Sequence, residues 1–427
     1  MLVNIPADLS KVTFPDLHKI AIETGFIIRE SSKMSASGFI QTIISAVISG
    51  RASYNQLADA LGKKTGDPMS RQAMEERFEN VACVEFVTAV HEAILEAQFL
   101  PVEESLKKSP IKRIVSEDSS GLWMPKSNAD SFRAHGNHHG ATAGVKVDFA
   151  YDVANNSATN HTLHGATEQD KSIGKESVVT LESGDLSLRD MGYFNLSEFT
   201  YIEELGAYWL TRLPLNVEVS LEKGTALEKH LKNTKSNVVD LIVFAGEEER
   251  KKCRLVAIRA DQKVANERRR TRREAAKSKG KTASKKSVTR DGWHIMLTNL
   301  SAEEFSTKDL AAIYRIRWSV EIQFRAWKQS TNLAAALNRK SKENHMMVLV
   351  IGAMIAHLLA MLVGRIFAAD IGIDRLSHEK LFDVLAAHHA TAKCVEDILD
   401  FAVDIRHISR DKRNREIPLM TGLAALA

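Results

Sequence analysis

Residues 314–328 read YRIRWSVEIQFRAWK, and this stretch decides how the rest of the chain is to be read. An α-helix advances about 100° per residue. With Tyr314 set at zero, Arg317 falls at about 300°, Glu321 at about 340° and Lys328 at about 320°. On one continuous helix the four share a stripe roughly 60° wide and about 21 Å long. Trp327 falls off that stripe and Phe324 near its edge, as expected of aromatics that anchor the helix to a core. A lone carboxylate between a tyrosine and two cations suits a phosphodiester. The cations and the hydroxyl can hold phosphate oxygens while the carboxylate binds a metal. A solvated amphipathic face with ordinary i,i+4 charge pairs gives the same pattern, so the stripe needs partners elsewhere in the chain.

Upstream, 112–116 (KRIVS) reads as a short strand that ends in Glu117, Asp118, Ser119 and Ser120. A Gly/His-rich loop follows, then 143–153 (AGVKVDFAYDV), whose apolar and polar residues alternate as in a half-buried strand. Asn155, Asn156 and Ser157 mark a turn, and 159–164 is a hairpin partner. A helical pattern at 173–181 leads to a strand at 186–188, which is followed by Asp190; 208–213 (YWLTRL) is a further strand. Residues 217–292 look like an insertion, with paired strands at 239–244 and 254–260 and then a basic run; 293–298 (WHIMLT) resumes the strand character. Ser301 is placed to cap a helix beginning SAEEF, and the next helix spans 308–330. Two carboxylates compete with the aspartates named above: Glu117 beside Asp118, and Asp185 near Asp190.

The spacing Tyr314-x2-Arg317-x3-Glu321-x6-Lys328 resembles the YREK signature of bacterial insertion-sequence DDE transposases whose catalytic core carries a β-strand insertion. The resemblance covers about residues 40 to 365. Asp118 with its following serines is similar to that family's first aspartate. Asp190-x-Gly192-Tyr193 is similar to the second, and Trp293 with Leu297 and Thr298 to its W-x3-L-T pattern. The resemblance implies an α/β fold. Its RNase H-like mixed-sheet core is interrupted by a mainly β insertion and flanked by helical N- and C-terminal regions. The implied division is a helical DNA-binding region at 1–105, the core at 106–216 and 293–345, the insertion with a basic arm at 217–292, and a helical region at 346–427. Asp118, Asp190 and Glu321 become the catalytic and metal-binding set, with two Mg²⁺ or Mn²⁺ ions as cofactor. The implied activity is cleavage at the terminal repeats of the element itself and strand transfer into target DNA, by cut-and-paste through a hairpin intermediate. Tyr314, Arg317 and Lys328 would hold phosphates, and Trp293 would stack an unpaired base. A homodimer in the synaptic complex is expected.

Composition bounds these readings. The chain has 427 residues, 44% hydrophobic and 26% charged, which describes an ordinary globular protein of two to four units. Cys83, Cys253 and Cys394 form no CxxC pair, which argues against a disulfide scaffold or a thiolate zinc site. The net charge of +4 hides a block at 263–290 with twelve Lys/Arg against two Glu. Such a block is the footprint of a polyanion contact or of a solvated linker. Read as a DNA-binding arm, it supplies Arg268, Arg269, Arg270, Arg272 and Arg273 as contacts. The first residues, MLVNIPADLSKV, lack the basic and apolar stretches of a secretory signal, so a cytoplasmic protein, nucleoid-associated on DNA, is expected. The uncharged stretch 346–363 is near the lower length for a membrane span but reads better as a buried core helix, with no membrane partner. The segments 54–61 and 70–78 form either a helix-turn-helix presenting Arg71, Gln72 and Arg77 to DNA or an ordinary αα-hairpin. His135, His138 and His139 suggest a metal, but phosphate or solvent contact fits their irregular spacing better. Two further classes stay open at this stage: a catalytically inactive, transposase-derived DNA-binding protein, and an RNase H-like nuclease without strand transfer.

Overall fold

The computed structural model describes residues 15–29, 34–98, 109–137, 140–222, 224–371 and 377–388. Among the described residues five helices come first: α1 (Leu17–Glu23), α2 (Ala36–Ser49), α3 (Tyr54–Thr65), α4 (Arg71–Glu79) and α5 (Val81–Ala97). Four strands follow: β1 (Arg113–Met124), β2 (Arg133–Asn137), β3 (Gly140–Asp152) and β4 (Ser157–Gly165). Next come α6 (Asp170–Val178), β5 (Asp185–Arg189), α7 (Leu196–Glu204), β6 (Tyr208–Arg212), β7 (Val219–Leu221) and α8 (Leu227–Asn233). They are succeeded by β8 (Val238–Ala245), β9 (Lys251–Arg259), α9 (Gln262–Lys277), α10 (Lys285–Arg290) and β10 (Trp293–Thr298). The chain continues with α11 (Thr307–Ile316), α12 (Trp318–Ser330), α13 (Leu333–Leu337), α14 (Glu343–Ile371) and α15 (His378–His388). These elements form two compact units, with boundaries inside β1, between β4 and α6, and between Arg317 and Trp318.

The first unit holds α1–α5, β1 from Asp118, β2–β4 and α12–α15. Local sequence starts its helices. Ser53 and Gln56 form a capping box at α3, and Ser70 accepts from the Ala73 amide at the head of α4. Phe26, Phe39 and Phe86 form one aromatic core, with Phe26 stacked on Phe86 at 4.6 Å. The long apolar helix α14 packs on α2 and α5. At Gly352 it comes so close to α2 that an added Cβ would lie 2.1 Å from Ile43 Cγ2. By length and composition α14 could cross a membrane, yet 89% of its most apolar window is buried inside the protein, as expected of a core helix. β3 neighbours β1 and pairs antiparallel with β2 and with β4. The stretch expected to be a Gly/His-rich loop is therefore largely the β2–β3 hairpin. His135 lies on β2, whereas His138 and His139 are outside the described residues.

The second unit is a mixed sheet in the order β1-β5-β6-β10-β9-β8-β7. β1, β5 and β6 run parallel, and β10, β9, β8 and β7 add antiparallel. The fold is thus mixed α/β: in the first unit β2 and β4 both pair with β3, and in the second β5 and β6 run parallel to β1 beside an antiparallel extension. In the stretch 217–292, β9 pairs along all of β10, and the basic run 263–290 holds the helices α9 and α10.

Three expectations need correction. β1 does not end before Asp118 but continues to Met124; only its pairing with β5 stops, at Glu117. The SAEEF segment is a turn in which Ser301 accepts from the Glu304 amide, and the helix begins at Thr307 under a Ser306–Asp309 capping box. The helix expected over 308–330 is divided at Arg317, whose amide bonds to the Tyr314 carbonyl, three residues back. The Arg317 carbonyl accepts from Ser116 Oγ at 3.3 Å, and a side chain inserted into the ladder is a known cause of such a break.

Candidate active site

The site is built on the parallel pair β1/β5. Register runs from Arg113↔Asp185 to Glu117↔Arg189, and in each strand the next residue is an aspartate, Asp118 or Asp190. Asp118 Oδ1 accepts from the Ser119 amide at 2.8 Å. Asp190 keeps an extended backbone and leads into the short turn Met191–Tyr193, without using its carboxylate as a cap. A Cβ at Gly192 in the D-x-G motif would sit 2.8 Å from Asp170 Oδ2, so a side chain there would require the Asp170 carboxylate to shift.

Both rival carboxylates are engaged by arginines. Asp185 takes a two-point contact from Arg113, at 2.9 and 2.5 Å, and accepts from the Glu182 amide. Glu117 Oε2 lies 2.5 Å from Arg189 Nε, as a charge contact off the N–H direction, and Glu117 Oε1 accepts from Ser177 Oγ at 2.5 Å. Arg189 also donates to Glu198 (2.9 Å), the Gly174 carbonyl (2.9 Å) and Ser177 Oγ (2.7 Å). Glu117 and Arg189 are each 2% exposed. Burial raises the pKa of Glu117 and of Glu198, and the Arg189 charge opposes it in both. The sequence did carry a signal for these contacts. Arg113 and Glu117 on one strand face Asp185 and Arg189 on the other, in reversed order.

At the end of α11, burial pushes the Tyr314 phenol up to about 12; the Asp190 charge adds to this, while Arg317 and Arg212 oppose it. Tyr314 therefore stays protonated and has Asp190, Arg317 and Arg212 in its electrostatic neighbourhood. Arg212 is a cation that the sequence reading missed. Ser116, two residues before Asp118 and so on the same strand face, reaches the Arg317 carbonyl. In the other unit, α12 carries Glu321 in its first turn and Lys328 in its last. Lys328 Nζ donates to Ser120 Oγ and to the Gly121 carbonyl, both at 2.7 Å, which ties α12 to β1 just beyond Asp118. Burial lowers the Lys328 pKa. Trp327 and Phe324 are buried, and Trp327 Nε1 donates to the Ala353 carbonyl, as expected of core anchors.

Trp293 opens β10 and is 4% exposed, with the Arg259 guanidinium 4.3 Å above its ring. It lines a cleft of about 220 Å³ together with Met191, Arg212, Leu215, Arg268 and Arg272. The five arginines of α9 divide. Arg268 donates to the Trp293 carbonyl, Arg269 to the Val288 carbonyl, and Arg272 makes a two-point contact with Asp291. Arg270 is exposed and, among the described residues, pairs with its helix neighbours Glu267 and Glu274, and Arg273 is exposed. In the N-terminal hairpin, Arg77 donates to the Phe26 carbonyl and lies over the Phe26 ring. This makes Arg77 a structural residue there. Arg71 pairs with Glu75, and Gln72 donates to Glu76. Among the described residues, no three or more His, Cys, Asp or Glu are gathered as a metal cage.

A profile of the transposase DDE domain matches residues 109–359, more than half of the chain and all of the strands just described. The chain belongs to the DDE transposase family. The transposase for insertion sequence element IS231D of Bacillus thuringiensis subsp. finitimus is 28% identical over 337 residues, 73% of this chain and 70% of that one. The IS1151 transposase of Clostridium perfringens is 21% identical over 367 residues, 81% of this chain and 77% of that one. A solved piggyBac transposase synaptic complex with hairpin DNA aligns over 96% of this chain and 87% of that one, with 10% identity and a TM-score of 0.47. This transposase is thus an insertion-sequence enzyme that cleaves DNA and transfers strands, with DNA as its partner and a dependence on divalent metal.

Proposed function

We propose that the transposase binds the terminal repeats of its own insertion sequence and excises and reinserts it by cut-and-paste through a hairpin intermediate. Asp118, Asp190 and Glu321 are the catalytic carboxylates. The observation that carries this reading is the β1/β5 register, in which the last paired residues, Glu117 and Arg189, are each followed by an aspartate. The competing carboxylates Glu117 and Asp185 are neutralised by arginines, so they are poor metal ligands. Three carboxylates form an all-oxygen donor set, which fits a pair of Mg²⁺ or Mn²⁺ ions. When bound, two such ions activate a water or a 3′-hydroxyl and stabilise the leaving oxygen.

The chain's own residues position the DNA. Tyr314, protonated, donates a hydrogen bond to a phosphate oxygen, and Arg317 and Lys328 neutralise phosphate charge. Lys328 would exchange its contacts with Ser120 and Gly121 for that phosphate. Trp293 provides a stacking face for an unpaired base once the ring over which Arg259 lies is uncovered. Arg270 and Arg273, exposed on α9, meet the DNA backbone, whereas Arg268, Arg269 and Arg272 hold α9 in place. Two copies act together on paired ends, in the bacterial cytoplasm.

The test is Mg²⁺-dependent nicking of DNA carrying the element's terminal repeats, comparing wild type with Glu321→Ala. The variant should nick at background level; equal activity would remove the reading. Supplying pre-cut ends and a circular target should give joined products, which a nuclease without strand transfer would not make.

A further inference from the structure

β1 and β5 are held in register by two buried ion pairs of opposite polarity. At the start of the pairing the cation is on β1 (Arg113) and the anion on β5 (Asp185); at the end the anion is on β1 (Glu117) and the cation on β5 (Arg189). A slip of two residues would break both pairs, and a slip of four would set Arg113 against Arg189. A slip of one would turn every side chain to the other face. The far pair lies four residues from the near one, so both project from the same face of the sheet.

The near pair is tied more elaborately. Arg189 sits between Glu117 and Glu198, whose other oxygens accept from Ser177 and Asn195 respectively. These contacts join β1 and β5 to α6 and to the head of α7, at the point where the β1/β5 pairing stops just before the two aspartates. Successive strand residues alternate between faces, so fixing Glu117 and Arg189 on one face fixes the opposite direction for Asp118 and Asp190.

We infer that Glu117, Arg189 and Glu198 form a positioning network that sets the spacing of Asp118 and Asp190, and hence the enzyme's affinity for its divalent metal. The inference rests on the proposed roles of the two aspartates. In this account none of the three touches the metal: Glu117 and Arg189 act through the backbone of the aspartate that follows each, and Glu198 acts through Arg189. The Arg113–Asp185 pair, at the far end of the same two strands, serves as the internal control, because it stabilises the same register without adjoining either aspartate.

The test is calorimetric Mn²⁺ titration of the full-length protein, with thermal unfolding measured in parallel. Glu117→Gln keeps the side chain's size and its contact with Ser177 but removes the charge. It should weaken Mn²⁺ binding by about ten- to a hundredfold, the range typical of partners behind a metal's ligands. The Mg²⁺ concentration needed for half-maximal nicking should rise in step, with most of the rate recovered at saturating metal. Asp185→Asn should lower the melting temperature but leave Mn²⁺ affinity as in wild type. If Glu117→Gln fails to fold, Ser177→Ala removes one hydrogen bond to Glu117 and should give a smaller shift in the same direction. Unchanged Mn²⁺ affinity in a folded Glu117→Gln protein, or equal losses in it and in Asp185→Asn, would overturn the inference. Asp190→Ala separates this from the underlying reading. If Asp190→Ala binds Mn²⁺ normally, the aspartate roles themselves fail and the inference falls with them.

Discussion

Arginine does opposite work in the β1/β5 strand pair and in helix α9. On the strands, Arg113 and Arg189 are buried and matched to carboxylates on the facing strand or on the helices behind it. A buried charge left without its partner is strongly destabilising, so these pairs specify one register. On α9, Arg270 and Arg273 are exposed, in a helix whose only buried residue is Ala265. Exposed pairs contribute little to stability and leave the charge available to a polyanion. The same residue type thus builds the platform in one region and offers a contact in the other, with burial and partners deciding which.

Breaking the strand pair should have the largest effect. Arg189→Ala leaves Glu117 and Glu198 buried without their cation and should destabilise the protein by about 3–5 kcal/mol. Urea unfolding at pH 7.5 would show it; a variant as stable as wild type would mean the pair is not structural.

A second effect concerns the histidine core of the other unit. His161 lies in ring contact with both His91 and His357. Burial holds His91 down to about 4, His357 to about 3 and His161 well below its ordinary value. Each folded-state pKa is below the unfolded value of about 6.5, so the unfolded chain binds more protons in between. Stability should be full above about pH 6.5 and fall as the pH drops from there toward 4. Urea midpoints at pH 7.5, 6 and 5 would measure this, and His357→Phe should flatten the slope.

Third, Lys328→Ala should weaken end binding or hairpin resolution while Mg²⁺-dependent nicking persists. Normal behaviour in binding, nicking and hairpin resolution would contradict its role as a phosphate holder.

The smallest effect sharpens the other side of the comparison. Arg273→Ala should lower the salt slope of DNA binding by about one with no change in stability, since each phosphate contact contributes about 0.9 to that slope. Arg272→Ala should do the reverse, because Arg272 already contacts Asp291. Equal salt slopes for wild type and both variants would take α9 out of the DNA interface.

Local signals made much of the fold legible. Ser70 caps α4 and alternating residues mark β3, whereas the cap expected at Ser301 lies at Ser306. What was missed depends on distant contacts. β1 continues past Asp118 through Ser119, Ser120 and Gly121, where no apolar alternation betrays a strand and Lys328 supplies bonds from elsewhere. The break at Arg317 coincides with a bond from Ser116, some two hundred residues earlier in the chain. In the candidate site, fixed spacings singled out Asp118, Asp190 and Glu321. Charge counting could not tell which arginines of the basic run fold inward, because Arg272 and Arg273 differ only in which way each faces.

The central claim is that Asp118, Asp190 and Glu321 do the chemistry while other residues hold DNA. It is tested most directly by band-shift and nicking measured together on terminal-repeat DNA, for Asp118→Ala, Asp190→Ala and Glu321→Ala. All three variants should bind the ends as wild type does and show neither nicking nor joining of pre-cut ends. Nicking at the wild-type rate by any one of them would contradict the account.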